Sequence, residues 1–195
     1  MRTVTVIENV TLDGVMQAPG RPDEDTRDGF AHGGWALPYD DSVKGEAMGR
    51  GIAGAGALLL GRRTYADFYQ VWPRRRDNPF TGFLNGVPKY VASRTLTEPL
   101  PWQNSTLLPG DAVSAVTALK QQRGPDLAVL GSGELVAALT RAVLVDVFVL
   151  LIHPLVLGGG RRLFPGGTPP ARLELAGSVT TSTGVMIATY HVRRS

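Results

Sequence analysis

"LLLGRRTYADF", residues 58–68, joins two patterns that recur along this chain. The apolar run from Ala57 to Leu60 has the length and character of a short buried strand, and Gly61 lets the chain turn tightly. From Arg62 onward an aromatic-bearing helical pattern resumes. A strand running through a glycine turn into a helix is one half of a β-α unit. The backbone N–H groups at such a helix start have no partner within the helix and attract anions.

Outward from this stretch, strands are expected at Val4 to Glu8, Ala57 to Leu60, Lys89 to Ala92, Leu127 to Leu130 and Asp146 to Ile152, with a final pair at Leu173 to Thr181 and Val185 to His191. Helices are expected near Ser42 to Ala53, Thr64 to Tyr69, Ala112 to Gln122 and Gly133 to Ala142. The alternation predicts an α/β sheet. No helix separates the last two strands, and "TTSTGVM" reads as a hairpin turn around Ser182 to Gly184, so the sheet should be mixed with an antiparallel closing pair.

Two long connections stand out. Gln17 to Tyr39 contains "HGGW" and "LPY", whose large apolar residues favour burial, so a lid or substrate loop is expected there. Pro73 to Val87, with three arginines, Phe80 and Phe83, is read as a second such loop or a subunit contact.

A length of 195 residues fits one domain, residues 1–195, and 43% hydrophobic against 19% charged residues is a globular composition. With 20 basic and 17 acidic residues the net charge is only +3. The basic pairs and triplets at Arg62-Arg63, Arg74 to Arg76, Arg161-Arg162 and Arg193-Arg194 lack interleaved aromatics, so local anion sites or solvated surface are expected and nucleic acid is not. The absence of cysteine excludes disulfides and thiolate zinc sites, and His32, His153 and His191 lack metal-ligand spacing, so no metal is expected. Neither a signal-peptide core nor a membrane-length apolar stretch is present, which makes the cytoplasm the expected location.

Three strand ends carry groups suited to anions. In "GRRTY", Arg62, Arg63 and the Thr64 hydroxyl add donors to the helix start after Gly61 and together suit a pyrophosphate; the same residues also fit a plain helix start capped by Thr64. In "LAVLGSGELVAAL", a buried strand runs into Gly131-Ser132-Gly133, and the helix after it carries an apolar stripe at Leu135, Ala138 and Leu139. This is not the dinucleotide fingerprint, because Val136 stands at the third glycine position. In "YVASRTL", Ser93 and Arg94 follow a strand and suit a 2'-phosphate, although an ordinary strand end looks the same. Ligands bind along the carboxyl edge of open α/β sheets, and three such ends together point to an anion-binding edge.

The segments "LLLGRRTYADF", "VASRTL", "VLGSGELVAALTRAVLVD" and "IHPLVLGGGRRLF", in this order, resemble the dihydrofolate-reductase-like superfamily, in the branch of the reductase domain of the riboflavin-biosynthesis deaminase/reductase, RibD C-terminal-like. The resemblance covers nearly the whole chain. It implies a three-layer fold, mostly parallel and flanked by helices, a homodimer, and NADPH as cofactor of a reductase acting on a small heterocyclic or carbonyl substrate. Carried over, Gly61, Arg62, Arg63 and Thr64 look like phosphate contacts, and Ser93 and Arg94 look like the 2'-phosphate grip. Gly131, Ser132, Gly133, Glu134 and Leu135 look like the turn under the pyrophosphate, and Val10 to Gly14 resembles the segment lining the nicotinamide pocket. A cysteine-dependent deaminase domain is not expected in this chain.

Hydride transfer to C=N or C=O also needs a proton, from an ordered water or from an acid whose pKa is raised by burial. "WALPYDD" resembles the segment leading into the substrate helix of dihydrofolate reductases and makes Asp40 the catalytic candidate, with Asp41 one residue away. The alternative is that both cap the helix beginning near Ser42. Asp13 in "LDG" reads as a turn residue, His153 as a structural histidine, and Gly158 to Arg162 as a glycine-rich connection that also suits a substrate phosphate. A nucleotide-binding protein without turnover is the rival reading, and folate reduction a second enzymatic one.

Overall fold

A computed structural model of the protein describes residues 1–78 and 80–193, so Arg194 of the last basic pair lies outside the described residues. One eight-stranded sheet runs in the order β4-β3-β2-β5-β1-β6-β8-β7. Its strands are β1 (Val4–Thr11), β2 (Gly56–Gly61), β3 (Lys89–Ala92), β4 (Ser105–Leu108), β5 (Asp126–Leu130), β6 (Val147–His153), β7 (Arg172–Thr180) and β8 (Met186–Arg193). The first six are mutually parallel, and β7 and β8 close the sheet antiparallel. The expected hairpin turn is present, with Gly184 at φ +84° and its N–H donating to the Thr181 carbonyl.

The helices are α1 (Ser42–Ala55), α2 (Arg62–Val71), α3 (Phe80–Gly86), α4 (Ala112–Gln121) and α5 (Gly133–Arg141). Strand alternation divides the core in two. Val4, Val6 and Val10 of β1 and Leu127 and Val129 of β5 pack with Val116 and Leu119 of α4 and Val136 and Leu139 of α5. Ile7, Ala128 and Leu130 face the other way, toward Ile52 of α1, Tyr65 of α2 and Leu84 of α3. Helices therefore cover both faces of a mostly parallel sheet, the three-layer arrangement that buries such strands on each side.

The structure departs from the expectations at two places. Pro73 to Val87 is not one loop, because it contains α3, held to the sheet through Leu84. β4 joins the edge of the sheet beside β3 and was not expected. The apolar strand expected at Asp146 to Ile152 is β6, an interior strand between β1 and β8.

Lys89 explains how α3 and β4 are fixed. Its side chain is fully buried and donates to the carbonyls of Asn85 at 3.1 Å, Val87 at 2.9 Å and Gln103 at 3.1 Å, with its ammonium 4.4 Å from the centre of the Trp102 ring. Cations suit a helix C-terminus, and this one ties the end of α3 to the entry of β4. Burial lowers its pKa from 10.5 to about 8. Lys89→Met leaves three carbonyls unpaired and should cost about 2–4 kcal/mol in urea unfolding. Because the unfolded chain holds the proton more tightly, the wild-type advantage should widen between pH about 8 and 10.5; an unchanged unfolding free energy would contradict this bracing role.

Candidate functional site at the carboxyl edge of the sheet

Two of the expected anion-binding turns are stitched together by one side chain. Ser132, at the N-cap of α5, has φ +67° and follows Gly131 at φ +62°. Its hydroxyl accepts from the Gly61 N–H at 2.7 Å and donates to Thr64 Oγ1 at 2.9 Å. A Cβ on Gly61 would lie 3.2 Å from Ser132, and one on Gly131 would lie 3.2 Å from Thr64. The glycines thus serve the close approach of the two turns to each other. Thr64 does not cap α2, whose N-cap is Gly61 without a side-chain bond.

Around this junction opens a cleft of about 1870 Å³. Gly61, Arg62, Arg63, Thr64, Ser93, Arg94 and Gly131 to Leu135 all line it, as does Asp40. Val10 and Gly14 do not: Val10 is buried in the core on the α4 and α5 side, and Gly14 forms the turn in which its N–H donates to the Thr11 carbonyl. Met16 and Gln17, slightly further along, reach the cleft instead. Ser93 Oγ accepts from the N–H groups of Thr95 and Leu96, which shapes the turn after β3. The Arg94 side chain is 81% exposed, and its nearest carboxylate, Asp111, is 4.0 Å away. Glu134 gathers three guanidinium groups, from Arg63 at 2.9 Å, Arg27 at 3.5 Å and Arg161 at 3.6 Å.

The long Gln17 to Tyr39 connection folds over this edge as an internally bonded loop. Gln17 donates to the carbonyls of Asp25 and Arg27 and accepts from the Arg161 N–H, while Trp35 Nε1 donates to the Gln17 carbonyl at 2.7 Å. Arg21 pairs with Asp67 of α2. Gly160 belongs to the same closure, since a Cβ there would meet Phe30 at 2.7 Å.

The carboxyl groups separate by environment. Asp41 caps α1 by accepting from the Lys44 N–H at 2.8 Å, and it also accepts from Ser182 in the β7–β8 turn. Asp13 accepts from Thr11, Leu157 and Gly158, and the Thr11 hydroxyl above all holds its pKa low. Asp40, 65% exposed, pairs with the buried Lys44 at 2.7 Å. His153 lies fully buried between Trp35 and Tyr39, 3.0 Å from Asn9 Oδ1; burial and then Lys44 lower its pKa to about 4, and Nδ1 has no partner among the described residues.

Glu8 and Glu24 are the cleft carboxyls that burial raises, and neither was singled out in the sequence. Glu8 is 4% exposed, and its Oε1 has no hydrogen-bond partner among the described residues. Desolvation first, and then the neighbouring charge of Glu24, push its pKa well above 4.5, against a hydrogen bond from the Gly131 backbone. Glu24, in the long loop, accepts from the Gly20 and Arg21 N–H groups. The parity of β1 signals Glu8, since Val4, Val6, Glu8 and Val10 share one inward face. Lys44 gave no such signal, because its burial comes from the loop packed against it.

Residues 2–187 match the RibD C-terminal domain family. The chain is 31% identical over 139 residues to the uncharacterized protein YyaP of Bacillus subtilis, covering 69% of this chain and 72% of that one. The fold is similar to that of a pyrimidine reductase-like protein from Corynebacterium diphtheriae, with TM-score 0.69, 16% identity, and coverage of 100% of this chain and 93% of that one. It is similar too to dihydrofolate reductase from Enterococcus faecalis complexed with NADP(H), with TM-score 0.62, 14% identity, and coverage of 98% and 97%.

A carboxyl whose pKa rises on folding makes the native state the better proton binder above pH 4.5, so its burial costs stability as pH rises. Glu8→Gln should therefore match the wild type near pH 4 and melt at increasingly higher temperature than it toward pH 8, by about 2–4 °C for each kcal/mol relieved. A difference independent of pH would mean that Glu8 is ionised in the native state.

Proposed function

The chain belongs to the RibD C-terminal domain family, and from that premise and the cleft we propose that it is an NADPH-dependent reductase that transfers hydride to a small heterocyclic or carbonyl substrate. The observation that carries this reading is the convergence of three neighbouring strand ends, those of β3, β2 and β5, on one cleft with exposed cations and two helix N-termini. Arg62, Arg63 and the N-termini of α2 and α5 suit the pyrophosphate. Ser93 and Arg94 suit the adenosine 2'-phosphate, for which an exposed guanidinium without a close carboxylate is the right group.

These residues fit the cofactor on grounds independent of family. The turns approach each other through glycine backbone, and the Oε1 of buried Glu8, on β1 level with the Gly131 turn, is left without a partner among the described residues. When bound, NADPH supplies the hydride; the protein's part is binding, orientation and the proton. Asp40 is in contact with water and held by Lys44, and in this reading it passes a proton from solvent toward the substrate. The buried Lys44 fixes the carboxylate's position at the α1 side of the cleft.

Two substitutions test this reading. Arg94→Ala should weaken NADPH by about tenfold or more and NADH by less than about threefold, measured by nicotinamide fluorescence; equal losses would move the 2'-phosphate elsewhere. Asp40→Asn should leave NADPH affinity within about threefold while lowering NADPH oxidation, across a panel of heterocyclic and carbonyl substrates, by about 10²-fold. Loss of thermal stability alone would leave Asp40 a structural partner of Lys44.

A further inference from the structure

We propose that the Glu8 carboxyl is a receptor for a primary carboxamide, that of the nicotinamide end of the cofactor. The inference rests on the NADPH reading above and adds a residue to which neither motif nor family resemblance had pointed. It starts from the order of the strands. β3, β2, β5 and β1 are consecutive neighbours; the first three end at Ser93 and Arg94, Arg62 to Thr64, and Gly131 to Glu134, and on β1 Glu8 follows Ile7, the partner of Leu130, so that it stands level with the Gly131 turn. Three inter-strand steps of about 4.8 Å separate β3 from β1. A dinucleotide whose 2'-phosphate lies at β3 and whose pyrophosphate lies between the β2 and β5 turns therefore ends over β1.

What lies there is a built polar site. Glu8 lines the cleft from the inward face of a central strand, beside the Gly131 turn. The residue is 96% buried by its 4% exposure, and Oε1 has no partner among the described residues. An unpartnered polar atom at this depth is costly unless a ligand or a water completes it. With the Gly131 backbone holding one side of the carboxyl, the free Oε1 can accept from the N–H of a primary carboxamide, or donate to its oxygen when protonated. Glu24, Asp25 and Glu134, with the Arg27, Arg63 and Arg161 side chains drawn to Glu134, are among the charged groups lining the cleft.

The test compares Glu8→Leu, Glu8→Gln and the wild type in equilibrium binding of three probes: NADPH, its analogue with 3-acetylpyridine in place of nicotinamide, and adenosine 2',5'-bisphosphate. Leucine removes both hydrogen-bonding atoms, whereas glutamine keeps a donor and an acceptor in the same place. We expect Glu8→Leu to lose about tenfold or more in NADPH affinity, with the bisphosphate unchanged within about twofold and Glu8→Gln close to the wild type. The wild type should prefer NADPH to the acetyl analogue, and Glu8→Leu should lose that preference. Unchanged NADPH binding by Glu8→Leu overturns the inference, as does an equal loss in Glu8→Gln or an analogue preference that survives in Glu8→Leu. If the wild type binds neither the bisphosphate nor NADPH, the reductase reading fails and the inference falls with it; bisphosphate binding with no effect at Glu8 sinks the inference alone.

Discussion

The cleft depends on the Ser132 hydroxyl. It accepts from Gly61 and donates to Thr64, so the turn after β5 and the turn after β2 are held as one unit. β2 and β5 are adjacent strands, but adjacency alone does not set the height or tilt of the turns that leave them. The serine does, in a left-handed conformation that a non-glycine residue holds only where its surroundings impose it. With the two turns locked, the N-termini of α2 and α5 open onto the same space, and Arg62, Arg63 and Glu134 line one cleft.

Charge around that space is graded. Its rim carries guanidinium groups, three of which converge on the exposed Glu134, while Arg94 stands apart with only a distant carboxylate. Its depth holds carboxyls that burial pushes toward the neutral form. Burial of Glu8 disfavours the negative charge it would bring to the cleft, and its unpartnered Oε1 keeps a hydrogen-bonding atom there. The long loop completes the enclosure, braced by Arg21 on Asp67 and by Gln17 on Arg161.

Much of the frame was legible because it follows from local pattern. Apolar runs of three to six residues mark β2, β3, β5 and β6, and "TTSTGVM" marks the closing hairpin. β4 was hidden because Ser105 and Thr106 break the apolar run and its pairing is non-local, against β3. α3 was hidden by Gly82 and Gly86, poor helix formers that Leu84 and the Lys89 brace overcome through tertiary contact. In the site, the strand-end groups could be read because turns follow strands. The roles of Ser132, Thr64 and the buried glutamates could not, because each depends on how distant segments meet. Glu8 is the intermediate case: strand parity points it inward, and only the cleft gives that orientation a use.

The claim on which everything else rests is that this edge of the sheet binds a 2'-phosphorylated dinucleotide. Titration of the wild-type protein with NADPH and with NADH, followed by nicotinamide fluorescence and thermal shift, tests it most directly. Saturable binding of NADPH at least about tenfold tighter than NADH is the predicted result. Binding of neither, or equal binding of both, would contradict it.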